Sequence, residues 1–190
     1  DVEAQSVLSF AQHRIWFLER MHPGTASYNI PTALRVRGRL NIEWLRECAQ
    51  AIVDRHEVLR TTFVEQSGDP MPVVHAGMRL NVPVADLSGL APGAREAELQ
   101  RLIDTDCRQP FDLAQGPLLR LTLVDLGEEG HVLLFCVHHI VADGGSMQVI
   151  RRELLARYKA KATGSDLELP PLAVQYGDYA AWQRQKLESE

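Results

Sequence analysis

A chain of 190 residues is long enough for one globular domain with a substantial core and too short for two ordinary ones. Hydrophobic residues at 45% and charged residues at 24% exclude a disordered chain. A formal net charge of -5, with Lys and Arg scattered along the sequence, excludes nucleic acid as the main partner.

No apolar run approaches the ~20 residues of a membrane-spanning helix, and the longest, Val132 to Val137, has the length of a buried strand. The chain opens at Asp1 without a methionine or a secretory leader, as an excised piece of a longer polypeptide would. Cys48, Cys107 and Cys136 lie far apart in apolar-periodic segments and read as buried thiols in a reducing cytoplasm.

Ser9 followed by Gln12 is a capping-box pattern, and Ala11, Ile15 and Leu18 fall on one face of the helix it starts. His22-Pro23-Gly24 ends that helix. From Tyr28 to Arg37, the alternation of Ile30, Thr32, Leu34 and Val36 predicts a strand with one covered face, closed by Gly38. Asn41 caps a second helix carrying Ile42, Leu45, Ala49 and Ile52 up to about Arg55. Thr61 to Val64 reads as a strand, Gly68-Asp69-Pro70 as a turn, and short strands are expected around Val73-Val74 and Leu80 to Val84. Pro92 suits the first turn of a third helix with Leu99, Leu102 and Ile103 on its core face, and Pro110 lies beyond its end.

Leu119, Leu121 and Leu123 alternate with Arg120, Thr122 and Val124, and the turn Gly127 to Gly130 leads into Val132 to Val137. An unbroken apolar run predicts a strand covered on both faces. After His138, His139 and a loop holding Asp143-Gly144-Gly145, Ser146 is expected to cap a helix that ends before Gly164. Leu169-Pro170-Pro171 reads as a linker, and Tyr176, Tyr179 and Trp182 mark a last helix. The fold class expected is α/β, a two-layer sandwich of a mixed sheet with helices.

The segment His138 to Gly144 is where chemistry concentrates. Adjacent residues on a strand point to opposite faces, so one histidine can face a cavity while the other enters the packing. Histidine is the side chain that exchanges a proton near neutral pH without perturbation. Asp143 stands four residues beyond His139, and the two glycines after it permit a tight turn into the next helix. Taken by themselves, these residues also fit a pair of solvent-capped histidines beside a turn-forming aspartate. Metal binding is a third option, disfavoured because adjacent strand residues diverge. No G-x-S-x-G elbow or polar-set cysteine points to a nucleophile.

His138-His139-Ile140-Val141-Ala142-Asp143-Gly144 resembles the HHxxxDG motif of nonribosomal peptide synthetase condensation domains and of the wider chloramphenicol acetyltransferase-like superfamily. Ser9 to Leu18 resembles the first condensation motif, Arg55 to Phe63 the second, and Tyr176 to Gln183 the fourth, in the expected order. The resemblance implies that residues 1–190 form the N-terminal, chloramphenicol acetyltransferase-like lobe of such a domain, with the C-terminal lobe absent. It implies that His139 is catalytic, facing a tunnel where two carrier-bound substrates meet. His138, Asp143, Gly144 and Arg60 would support the site structurally, Arg60 being the candidate partner that holds Asp143. An Asp beside an Arg stays ionised and fixes the loop rather than shuttling protons.

The implied reaction is amide formation between a donor acyl or peptidyl thioester and the amine of an acceptor aminoacyl thioester. No cofactor is expected on this lobe, because the phosphopantetheine arms come with upstream and downstream peptidyl carrier proteins. The C-terminal lobe and an adenylation domain of the parent chain are the other implied partners; nucleic acid and membrane are not. The isolated lobe is expected to be inactive and to carry an unusually apolar lobe-facing surface. Gly145 departs from the aromatic residue, often Trp, that commonly follows the DG pair. The two histidines argue against heterocyclising relatives, which carry aspartates there; the motifs resemble the class that accepts an L-configured donor. Two rival readings are a coenzyme A-dependent acyltransferase and a non-catalytic condensation-like module that docks carrier proteins.

Overall fold

The computed structural model describes residues 7–188. Helix α1 (Phe10–Met21) leads into strand β1 (Asn29–Val36) and helix α2 (Ile42–Arg55). A short 3-10 turn (Glu57–Arg60) connects to β2 (Thr61–Gln66), β3 (Asp69–Val74) and β4 (Val84–Asp86). Helix α3 (Pro92–Arg108) precedes β5 (Leu119–Asp125) and β6 (His131–His138), and the chain continues through α4 (Gly144–Thr163) and α5 (Tyr176–Glu188). The four-stranded sheet runs β1-β6-β5-β4, while β2 and β3 pair separately as a hairpin. Its pairings are antiparallel except β4 with β5, so the sheet is mixed, as expected.

β6 is central because its composition allows it to be nothing else: seven of its eight residues are buried. Leu133, Phe135 and Val137 join Leu119, Leu121 and Leu123 of β5 in the main core, together with Leu45, Ile52, Ile150 and Leu154 from α2 and α4. Val132 and Leu134, pointing to the opposite face, pack with Val124, Leu99, Leu102 and Ile103 under α3. Helices therefore cover both faces of the strand, and each fully buried aliphatic side chain contributes about 2 kcal/mol. Gly130 closes the β5–β6 turn at a φ of 93°, where a Cβ would stand 2.5 Å from the Val36 carbonyl oxygen, so only glycine fits.

The helix signals at Ser9 and Asn41 hold. Ser9 Oγ accepts from the Gln12 N–H while Gln12 Oε1 accepts from the Ser9 N–H, a complete capping box, and Asn41 accepts from the Glu43 and Trp44 amides. The inward face of α1 is displaced from the apolar stripe. Gln12, Ile15 and Trp16 are buried, whereas Ala11 is exposed and Leu18 only half-buried.

The strand expected over Leu80 to Val84 reduces to β4 at Val84–Asp86. The reason is that α2 satisfies this backbone with side chains instead of a ladder. Gln50 accepts from the Leu80 amide and donates to the Met78 carbonyl, and the Arg46 guanidinium donates to the Val82 carbonyl at 3.1 Å. The expected turn over Gly68-Asp69-Pro70 shifts to Ser67-Gly68, with Asp69 already in β3.

At the far end of α2, residues of the second motif tie three elements together. His56 Nε2 meets Glu153 Oε2 at 3.0 Å and Arg55 Nε lies 3.4 Å from Glu153 Oε1, although Glu153 is only 8% exposed. Arg55 also donates to the Pro170 carbonyl, and Gln175 bridges the Arg55 carbonyl and the Glu57 amide. α2, α4 and the segment before α5 thus meet in one polar cluster, whose buried carboxylate faces the Arg55 guanidinium and the His56 ring.

Candidate active site at the end of β6

β6 ends at His138, and the alternation expected of adjacent strand residues is what the structure shows: His138 is 1% exposed, while His139 is exposed. The His138 ring is packed between Tyr28 and Phe111, with ring centroids 6.1 and 5.9 Å away. Its Nδ1 accepts the Ile140 N–H at 3.2 Å and its Nε2 lies 2.9 Å from Glu19 Oε1. An imidazolium has no acceptor, so the bond from Ile140 fixes a neutral ring that carries its proton on Nε2 and donates it to Glu19. The contact is a hydrogen bond from a neutral imidazole, not an ion pair. Burial accordingly pushes the His138 pKa down to about 4, with His139 and Arg120 adding to the effect, and burial pushes the Glu19 carboxyl up.

The turn that follows is held from every side. The His139 N–H donates to the Tyr28 carbonyl at 2.8 Å, extending the β1–β6 pairing by one residue, and the Val141 N–H donates to the His138 carbonyl at 3.1 Å. Gln12 Nε2 donates to the Ile140 carbonyl at 3.2 Å from within the core. Ile140, Val141 and Ala142 are buried, so the turn is anchored and the His139 ring is what it presents outward.

His139 lines a cleft of about 140 Å³ together with Asp143, Ser146, Arg14 and Tyr176. Tyr176 is fixed by a 3.0 Å hydrogen bond to Ser9 Oγ, which joins the first and fourth motifs across the chain. Asp143 is the N-cap of α4. Its Oδ1 accepts from both the amide and the hydroxyl of Ser146 at 2.7 Å. The cap expected at Ser146 therefore sits at Asp143, with Ser146 inside the first turn as its donor. These bonds hold the Asp143 carboxyl below the usual carboxylate range, and the nearby His139 adds to the shift.

Arg60 does not hold Asp143. It ends the 3-10 turn after α2, its guanidinium donates to the His75 carbonyl and to Glu57 Oε1, and its own carbonyl accepts the His75 N–H. Arg60 clasps the end of the β2–β3 hairpin, and Asp143 is kept ionised by a helix N-terminus instead. Gly144 and Gly145 have no positive φ either, and a Cβ on Gly144 would meet nothing within 4 Å. The backbone of the turn therefore does not require glycine at either position.

The residues that sequence reasoning missed are Gln12, Glu19 and Tyr176. Gln12 and Glu19 stand seven positions apart, two helical turns, on one face of α1; that spacing was the available signal, hidden because both are polar. Cys136 is buried and its thiol is pushed up to about 11, so it is no nucleophile. Among the described residues, no three His, Cys, Asp or Glu side chains converge as a metal site would require, and no helix is long and apolar enough to cross a membrane.

A family model for the condensation domain matches residues 2–190. The chain belongs to the condensation-domain family. It is 46% identical over 188 residues to a linear gramicidin synthase from Brevibacillus parabrevis, covering 99% of this chain and 2% of that protein. The first condensation domain of the calcium-dependent antibiotic synthetase, solved with a substrate analogue, superposes with a TM-score of 0.87 at 25% identity, covering 99% of this chain and 44% of that one. The X-domain of teicoplanin biosynthesis, solved in complex with OxyB, gives 0.84 at 34% identity over 100% of this chain and 40% of that one. The chain thus spans less than half of these solved chains and a few hundredths of the synthase. The family read from four short motifs holds, and so does the mixed α/β fold.

Proposed function

We propose that this chain supplies the histidine-bearing wall of a domain that joins a donor acyl or peptidyl thioester to the amine of an acceptor aminoacyl thioester. The observation that carries the proposal is the His139 ring, presented into the cleft by a turn whose backbone is bonded on both sides of it. The acceptor nitrogen attacks the donor carbonyl, the C–N bond forms, the C–S bond breaks, and the departing thiolate takes up a proton. An α-amine of pKa ~8 is largely protonated at neutral pH. His139 serves either by removing the amine's proton or by holding the free amine in line, worth typically 10²–10⁴-fold for the first and as much for the second. Asp143 caps α4 beside the ring, and His138 underpins the turn.

Both thioesters ride on the phosphopantetheine arms of upstream and downstream carrier proteins, which are partners in this reading along with an adenylation domain in the parent chain. A C-terminal lobe closes the cleft into a tunnel, so this chain alone forms no product. Support comes from the apolar side chains left outside on α1, α5 and the segment before α5. Phe17 is 53%, Trp182 55% and Val174 66% exposed. The two helices adjoin, since the Phe10 amide donates to Gln183 and the Arg184 guanidinium lies over the Phe10 ring.

A second reading has one observation behind it. The X-domain matched at 34% identity is solved as a complex with OxyB, and on that analogy the chain would dock a partner without chemistry. The test is to load donor and acceptor carrier proteins, add the parent synthetase and look for the elongated thioester on the downstream carrier. Amide product supports the proposal. Transfer from coenzyme A, or carrier binding without product, points to the rival readings and contradicts it.

A further inference from the structure

We propose that Glu19 is a positioning residue for the His139 turn, acting through the tautomer of His138; the catalytic half of this inference rests on the amide-forming reading above. The chain of contacts is short. Glu19 Oε1 accepts from His138 Nε2 at 2.9 Å, His138 Nδ1 accepts from the Ile140 N–H at 3.2 Å, and Ile140 follows His139 directly. Gln12, from the same face of α1, takes the other side of that residue by donating to the Ile140 carbonyl. One helix thereby secures both polar groups of Ile140, one directly and one through an imidazole.

The physical content lies in the tautomer. A neutral imidazole has one donor and one acceptor nitrogen, and which is which follows from the bond that the other makes. With a carboxylate at Nε2, the proton stays there and Nδ1 is free to accept. Without that acceptor, a proton on Nε2 would be a buried donor with no partner, and only the Ile140 N–H would still oppose its move to Nδ1. A proton on Nδ1 would set two donors against each other across the 3.2 Å gap to Ile140, in a place where His138 is 1% exposed and water cannot relieve them. The turn would have to move, carrying the His139 ring with it. Glu19 holds its place by burial, its side chain being only 11% exposed, and the neighbouring Trp16 belongs to the core. Glu19 does not line the cleft, so its influence on His139 runs through position.

The measurement is ¹⁵N NMR of the histidine-labelled protein, paired with steady-state kinetics of the parent synthetase. Wild-type His138 is expected as the neutral Nε2–H tautomer at pH 7. Glu19→Leu is expected to shift it toward Nδ1–H and to lower kcat on the order of 10- to 100-fold with little change in KM. Glu19→Gln keeps an acceptor oxygen and is expected to keep both the tautomer and kcat within about 3-fold. A wild-type His138 found cationic or as Nδ1–H overturns the inference even if Glu19→Leu fails to fold. So does a Glu19→Leu enzyme that loses kcat while its tautomer is unchanged. Wild-type protein with the expected tautomer but no product upholds the Glu19–His138 link and counts against the amide-forming reading.

Discussion

The two histidines at the end of β6 are neighbours in sequence and opposites in circumstance. His138 has every polar atom of its ring committed, to Glu19 on one side and to Ile140 on the other, and two aromatic rings against it. Among the described residues, His139 is bonded through its backbone, and the exposed residue lines the cleft. Strand geometry makes the division, because consecutive side chains leave on opposite faces. What it teaches is that the free ring depends on the bound one. A side chain offered to substrate can be aimed only if the peptide carrying it is fixed elsewhere.

The largest expected break in this contrast is on the buried side. His138→Ala removes two hydrogen bonds and an aromatic packing partner and leaves the Ile140 N–H without an acceptor, a loss of about 2–4 kcal/mol measured by urea denaturation. Stability within 1 kcal/mol of wild type would mean that the ring is dispensable, contrary to its burial.

Acid sharpens the same contrast. Folding lowers the His138 pKa from 6.5 to about 4, so between those values the unfolded chain binds the extra proton. Stability therefore falls as pH is lowered through that window, by about 2 kcal/mol from pH 7 to pH 5. Glu19 works with the opposite sign, since its raised pKa makes the folded state bind a proton first. Urea denaturation at the two pH values should show His138→Gln losing less stability than wild type. Equal losses would place the acid sensitivity elsewhere.

A smaller effect separates Asp143 from Arg60. Loss of the α4 cap in Asp143→Ala should cost about 1 kcal/mol. Arg60→Ala acts on the β2–β3 hairpin through His75 and Glu57, whereas Asp143 bonds Ser146, so the double variant should be additive within about 0.5 kcal/mol. A larger coupling would restore the direct pairing that the structure does not show. Smallest of all, Gly145→Ala should shift stability by no more than about 0.5 kcal/mol. Its Cβ would come no nearer than 3.4 Å to Asp143 Oδ1, an ordinary contact. A larger loss would show that the entry to α4 needs a glycine after all.

Legibility in the sequence followed how local each signal was. The caps at Ser9 and Asn41, the central hairpin and the burial of β6 were readable because a few adjacent residues decide them. The Leu80 to Val84 segment misled because its alternation is real while its backbone is satisfied by Arg46 and Gln50 on α2, residues thirty or more positions away. Arg60 misled because a motif tells which residues travel together and not which of them touch. Glu19, and the second bond of Gln12 to Ile140, were invisible for a plainer reason: a polar side chain on a helix reads as solvent-facing until its buried partner is known. The candidate site was thus half legible, in the residues at its mouth but not in those that fix it from behind.

The most direct test replaces the presented ring. In the parent synthetase with both carriers loaded, His139→Ala should lower single-turnover product formation by 10²- to 10⁴-fold while leaving the thermal midpoint within about 2 °C of wild type. Product formed at the wild-type rate by that variant would contradict the account.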